Sequence, residues 1–384
     1  MNALVRAGFA IVLVAGSGFI GWRVIEAYAS PWPPSDEADD TREASTRLEA
    51  YMLDGDAFGD LAVAAQSDPD RDRVRMLHEL AVRRDPRDMR IRLWLAEQAL
   101  ASGAYAEGLD HLDVMLHLGS SDLVHPLLGE MAKWTADPAF AEALAVKLAE
   151  DPVWRGHMVA KLRQGMSDPG PSAVLGHLQA SGTLDSTEFR HWLDALISAG
   201  QYGLAYAHWV ASLDLAPGQS LPMLWNGDFE RPATGVGFDW RIGGATGSYT
   251  QLEPTAGTDG RAARLVFLGR RVERADLAQA MALVPGAYLL SWRAKGAALR
   301  SDQGLQWTVT CGAGGRPIAA SVALQGSFSW TPGKLRFQVP ANCPGQWLHL
   351  SNPAPRGSAQ IVSGELWVDD LTIRPVAGSP PDGV

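Results

Sequence analysis

The chain has no cysteine among its first 310 residues and only two in all, Cys311 and Cys343, out of 384. Zinc centres of the thiolate kind need more ligands at closer spacing, so cysteine builds none here. In an oxidising compartment the two thiols would form one disulfide, closing a loop of about 30 residues and contributing about 3 kcal/mol through the unfolded state. The alternative is two separate buried thiols, and neither case makes them catalytic. Catalytic spacing is missing as well: there is no Gly-x-Ser-x-Gly elbow, no His-Glu-x-x-His and no phosphate loop. Eight of the nine histidines lie before residue 210, none with a second histidine three or four positions away, so amphipathic helix faces account for them. The run Asp68-Pro69-Asp70-Arg71-Asp72 imitates the start of a calcium loop but has Arg73 where that loop needs glycine, and a helix N-cap cluster explains it better. A basic patch is also lacking. The net charge is −10, from 43 acidic and 33 basic residues, and clusters such as Arg83-Arg84 and Arg270-Arg271 are short and flanked by acids. Phosphate backbones need more, so nucleic acid is not an expected partner, and no enzyme is expected.

What is present divides into parts. The length suits two domains, and 46% hydrophobic with 20% charged residues is a globular composition. Ala7 to Trp22 is an uncharged apolar run, preceded by Arg6 and followed by Arg23 and the acidic stretch from Ser35 to Asp40. That charge order places the bulk of the chain outside the cytoplasm. Residues 1–29 therefore read as an inner-membrane anchor with a periplasmic bulk. Ala27-Tyr28-Ala29 has the small-x-small form of a cleavage site, so the alternative is a signal peptide removed near Ala29 and a secreted or periplasmic product. Residues 30–42, with Pro31-Trp32-Pro33-Pro34, form a stiff linker.

From 43 to 218 apolar residues recur three and four apart, as in Leu93, Leu95, Ala96, Ala99 and Leu100, then Leu109, Leu112, Met115 and Leu116. This is the period of amphipathic helices. The turn Ser102-Gly103-Ala104-Tyr105 returns as Ala199-Gly200-Gln201-Tyr202, each followed three residues later by a small residue, Gly108 or Ala205. Glycine supplies a left-handed cap, tyrosine packs on the hairpin, and the small residue permits close approach of the helices. Asp85-Pro86, Asp137-Pro138, Asp151-Pro152 and Asp168-Pro169 mark breaks. In these features the segment resembles tetratricopeptide repeats, whose stacked hairpins leave a concave face for a protein partner. A plain helical bundle using the same turns is the competing arrangement.

From 219 to 376 the texture changes to short alternating runs between Gly-rich turns, at 263–268, 287–294, 305–311, 319–324, 334–339, 347–350 and 365–373. That rhythm predicts an antiparallel β-sandwich, or jelly roll, followed by a flexible tail at 377–384. The opening Trp225-Asn226-Gly227-Asp228-Phe229-Glu230 with Gly237-Phe238-Asp239-Trp240, and the closing Leu366-Trp367-Val368-Asp369-Asp370-Leu371-Thr372-Ile373, resemble the first and last strands of carbohydrate-binding modules. The resemblance implies that these ends lie side by side, with a structural calcium held by Glu230 and Asp369 and helped by Asp228 and Asp370. It also implies sugar stacking on exposed aromatic rings. Trp292 and Trp307 alternate with apolar neighbours and belong to the core. Trp240 and Trp330, beside Gly-rich loops, are the leading stacking candidates, with Tyr249 and Trp347 behind them and Arg241 as a polar partner.

The fold class expected is thus multidomain: an anchor helix, an α-helical repeat segment, then a β-sandwich. This order resembles accessory proteins of bacterial exopolysaccharide synthesis and export. It implies a non-enzymatic envelope scaffold whose repeats bind protein partners while the sandwich meets polysaccharide. The rival reading is a purely structural protein–protein scaffold, and a glycan-processing enzyme stands third.

Overall fold

A computed structural model describes residues 37–215, 220–243, 246–254, 256 and 260–376. The expected anchor, 1–29, and the tail, 377–384, lie outside the described residues, and among those described no helix is long and apolar enough to cross a membrane. The chain divides into two compact units between Phe189 and Arg190.

The first unit is helical. Its elements are α1 (Glu37–Ala50), α2 (Gly55–Ala64), α3 (Arg71–Arg84), α4 (Met89–Ser102), α5 (Tyr105–Leu118), α6 (Ser121–Trp134), α7 (Pro138–Ala149), α8 (Arg155–Gln164) and α9 (Pro169–Ala180), with α10 (Ser186–Ser198) running through the division. Local chemistry sets the ends. Asp54, Asp70, Asp88 and Asp137 each precede a helix and accept a backbone N–H of its first turn, satisfying donors the helix leaves unpaired. The Asp70 bond confirms the N-cap reading of the acidic run that imitates a calcium loop. Asp137-Pro138 and Asp168-Pro169 prove to be helix starts, with proline in the first turn, where its missing N–H costs nothing.

The α4–α5 hairpin closes as its turn residues require. Gly103 has φ 82°, and the Ala104 amide donates to Ala99 O at 2.8 Å. The Tyr105 hydroxyl donates to Asp137 Oδ2 at 2.7 Å, while its ring packs edge-on to Phe140. A Cβ on Gly108 would lie 2.9 Å from the Leu100 side chain. Ile91, Leu95, Leu109, Leu112, Met115, Leu144 and Met131 are buried, each worth roughly 1.5–3 kcal/mol relative to exposure.

The second unit holds the end of α10, α11 (Tyr202–Ala211) and two antiparallel sheets. The five-stranded sheet has the order β1 (Ser248–Pro254), β2 (Arg261–Arg271), β9 (Ile361–Pro375), β4 (Gly286–Arg300), β7 (Gly326–Val339). The four-stranded sheet has the order β3 (Arg274–Met281), β8 (Gln346–Ser351), β5 (Gln306–Cys311), β6 (Pro317–Ala320). Alternation along each strand sends Leu265, Leu290, Trp292, Leu366 and Val368 from one sheet, and Trp307, Val309, Leu348 and Leu350 from the other, into one core. Cys311 and Cys343 form a disulfide across 5.5 Å between Cα atoms.

The opening segment is not a strand. It is nonetheless stitched to the last one, because Leu371 N donates to Gly227 O at 2.8 Å, and Asn226 closes its turn on both backbone groups of Arg231. One outer face is covered within the unit. Tyr202 of α11 sits against Gly345 and accepts a hydrogen bond from Trp347 Nε1 at 3.1 Å, while Trp209 packs edge-on to Trp225 and against Phe238. The second glycine–tyrosine turn therefore spends its tyrosine on the four-stranded sheet.

Candidate functional site

The five-stranded sheet turns its other face outward. Since Leu265, Leu366, Val368, Leu290 and Leu335 point inward or pack on the core, their alternate neighbours point out: Tyr249 and Gln251 on β1, Arg264 on β2, Glu365 and Trp367 on β9, Ser291, Arg293 and Lys295 on β4, Lys334 and Arg336 on β7. Register lines them up across the strands. Gln251, Arg264, Trp367 and Lys295 form one row, and Tyr249, Val266, Glu365 and Ala297 the next.

Trp367 is half-buried and braced by two cations, with Lys295 Nζ at 4.8 Å and the Arg264 guanidinium at 5.6 Å from its ring centre. Arg264 in turn grips Glu365 with two bonds of 3.0 Å, which raises the arginine's pKa. Tyr249, two strands from Trp367 and so roughly 10 Å away, is 41% exposed. At the far strand Trp330 is half-buried, with Arg293 at 5.4 Å from its ring and its Nε1 donating to Ala256 O at 3.1 Å. Ala256, two residues after β1, thus reaches Trp330.

The other stacking candidates lie elsewhere. Trp240 has no exposed surface: its ring fills the sandwich beside Phe229 and Trp307, and its Nε1 donates to Asn226 O at 2.8 Å. The preceding Asp239, held by the Thr234 backbone and hydroxyl, turns the loop so that the indole points inward. Trp347 lies on the outer face of the four-stranded sheet, committed to Tyr202. Arg241 spans the Trp347 ring at 4.8 Å and pairs with Asp194 of α10 at 2.6 Å, so it fastens helix to sheet. These three are packing residues. The ring that the sequence reading passed over as a platform is Trp367, although Leu366-Trp367-Val368 alternation already sets it opposite the core.

The acidic candidates divide in the same way. Asp369 is buried, and its carboxyl is pushed up to about 6, chiefly by burial, with Asp370 and Glu230 adding to the rise. Glu230 accepts from Arg261 N at 2.6 Å. Asp370 faces Arg293 at 3.4 Å, and Asp228 lines a cleft of about 480 Å³ together with Trp225 and Arg231. Glu230 and Asp369 lie near enough for the charge of one to act on the other, and among the described residues no group of three acidic, His or Cys side chains that could hold a metal ion converges.

No family model matches the chain, and no curated protein does. Solved structures similar to it match the C-terminal β-sandwich. One is a CBM4 carbohydrate-binding module, at 14% identity and TM-score 0.29, covering 40% of this chain and 99% of that one. A second is a putative sugar binding protein from Bacteroides thetaiotaomicron, at 13% identity and TM-score 0.30, covering 41% and 100%. A third is TmCBM61 in complex with beta-1,4-galactotriose, at 17% identity and TM-score 0.28, covering 41% and 100%. The sandwich assignment itself rests on the nine strands among the described residues and their pairing.

Proposed function

We propose that the β-sandwich binds polysaccharide on the outer face of its five-stranded sheet, as the glycan-contacting part of a non-enzymatic envelope scaffold. The observation that carries this is the placement of Trp367 among hydrogen-bonding side chains, with Tyr249 exposed two strands away, on the sheet face opposite the core. A flat ring offers apolar area for the faces of a sugar, while Gln251, Glu365 and Ser291 present donors and acceptors for hydroxyls. The helical unit is the part that docks protein partners of the cell envelope; the turn Tyr51-Met52-Leu53 offers it apolar surface, each side chain being exposed. A periplasmic setting is supported by the disulfide, which reducing compartments disfavour.

The test is affinity electrophoresis of the full chain through gels containing neutral or acidic polysaccharides. Trp367→Ala abolishes retention and leaves the melting temperature within a degree or two, as an outward-facing residue should. Trp240→Ala, by contrast, costs about 3–5 kcal/mol of stability. Unchanged retention of the Trp367 variant would sink the reading.

A further inference from the structure

The cations of the outward face are unevenly matched. Six of them, Arg264, Arg293, Lys295, Lys334, Arg336 and Arg374, stand at outward positions of β2, β4, β7 and β9. Arg264 is paired with Glu365 and Glu253, and Arg293 faces Asp370. Among the described residues Lys295, Lys334, Arg336 and Arg374 have no carboxylate within 4.0 Å. Register gathers them: Lys334 lies opposite Ser291 and Thr372, Arg336 opposite Leu289 and Arg374, and Lys295 opposite Trp367. Lys334 and Arg336 are two residues apart on one strand, roughly 7 Å, and Arg374 stands two strands away, roughly 10 Å. The composition agrees with this local excess. Residues 219–384 carry 15 Lys and Arg against 12 Asp and Glu, whereas residues 43–218 carry 15 against 26.

We infer that the polymer bound by this face is an acidic polysaccharide, with carboxylates repeated along the chain; the inference rests on the glycan-binding reading above. Along β4 the residues opposite Lys334 and Arg336, Ser291 and Leu289, lie four and six positions before Lys295, so Lys334, Arg336 and Arg374 form a positive cluster roughly 13–20 Å along the strands from the row that holds Trp367 and Lys295. A polymer stacked on Trp367 and running along the strands toward Gly286 of β4 brings its charged groups over these side chains. There Arg336 and Arg374 can take carboxylates bidentately and Lys334 as a point charge. A neutral glycan would use the rings and hydroxyl-binding groups but leave four cations unmatched. A nucleic acid fits less well, because the cations interleave with Ser291, Leu289 and Thr372 rather than running as a dense stripe.

The experiment titrates the full chain with polygalacturonate, with the same polymer after carboxyl reduction to neutral galactan, with dextran sulfate and with duplex DNA. The proteins compared are the wild type, a triple variant (Lys334→Gln, Arg336→Gln, Arg374→Gln) and Trp367→Ala. Circular dichroism and melting of each variant establish that it is folded. Polygalacturonate binds at least about tenfold tighter than its neutral counterpart, and the preference weakens as salt rises from 50 to 200 mM, as expected of counterion release. The triple variant loses that preference and keeps neutral-polymer binding, while Trp367→Ala loses both. Equal binding of the two polymers, undiminished in the triple variant, overturns the acidic class and leaves the glycan platform standing. Binding of DNA or dextran sulfate as tightly as polygalacturonate, insensitive to Trp367→Ala, overturns it in favour of a general polyanion surface. Failure to bind any polysaccharide removes both readings together.

Discussion

Tryptophan fate in this chain depends on which side of a strand or loop the residue occupies. Trp292 and Trp307 are core, as alternation with apolar neighbours predicts. Trp240 follows a glycine-rich loop that would suit exposure, yet its indole fills the sandwich, because Asp239 fixes the loop by accepting two bonds from Thr234, five positions back. Nothing in sequence spacing reveals that bond. A buried histidine makes the residue scale testable by pH. His349 is 4% exposed and its pKa is lowered to about 4, first by burial and then by Arg274. The folded protein therefore binds fewer protons than the unfolded chain between pH 4 and the ordinary histidine value near 6.5, so stability rises with pH across that window and is lost on acidification. Going from pH 7 to pH 5 costs roughly 2 kcal/mol from this group. His349→Gln flattens that part of the stability curve in urea titrations, and an unchanged slope would show that His349 is not its source.

At the scale of elements, the helices were legible and two strands were not. The helical period, Asp caps and Gly-x-Tyr turns mark α4, α5, α10 and α11 directly. β1 reads Ser-Tyr-Thr-Gln-Leu-Glu-Pro, a polar edge strand without an apolar stripe, and β3 contains three alanines and a methionine, a composition as suited to helix. Only pairing with β2 and β8 makes them strands. The contact of α11 with the sheet depends on a missing side chain, since a Cβ on Gly345 would lie 2.0 Å from the Tyr202 ring. Gly345→Ala should therefore destabilise the protein by about 1–3 kcal/mol, as overpacking does. Adding Tyr202→Leu should recover much of that loss, and a double variant no better than the single would refute the contact. The disulfide links the end of β5 to the turn before β8, 32 residues on. Reduction should lower stability by about 3 kcal/mol, read as a drop in urea midpoint, and alkylation without reductant should leave the mass unchanged.

On the scale of the whole molecule, the organisation of helices then strands was written in the sequence. Periodicity switches from 3.6 to 2 near residue 220, and hydrophobic burial follows whichever period a segment carries. The cysteine positions likewise determined that any disulfide would lie in the β part. Tertiary structure alone decided the rest. α11 belongs with the sandwich rather than with the earlier helices, because Tyr202, Tyr206 and Trp209 find their aromatic partners and Gly345 there. The sequence shows only short basic clusters, yet Lys295, Lys334, Arg336 and Arg374 share one face, because strands distant in sequence are neighbours in the order β9, β4, β7. Strand pairing brings together residues that local pattern cannot, and the register of those pairs sets Trp367 between Arg264 and Lys295.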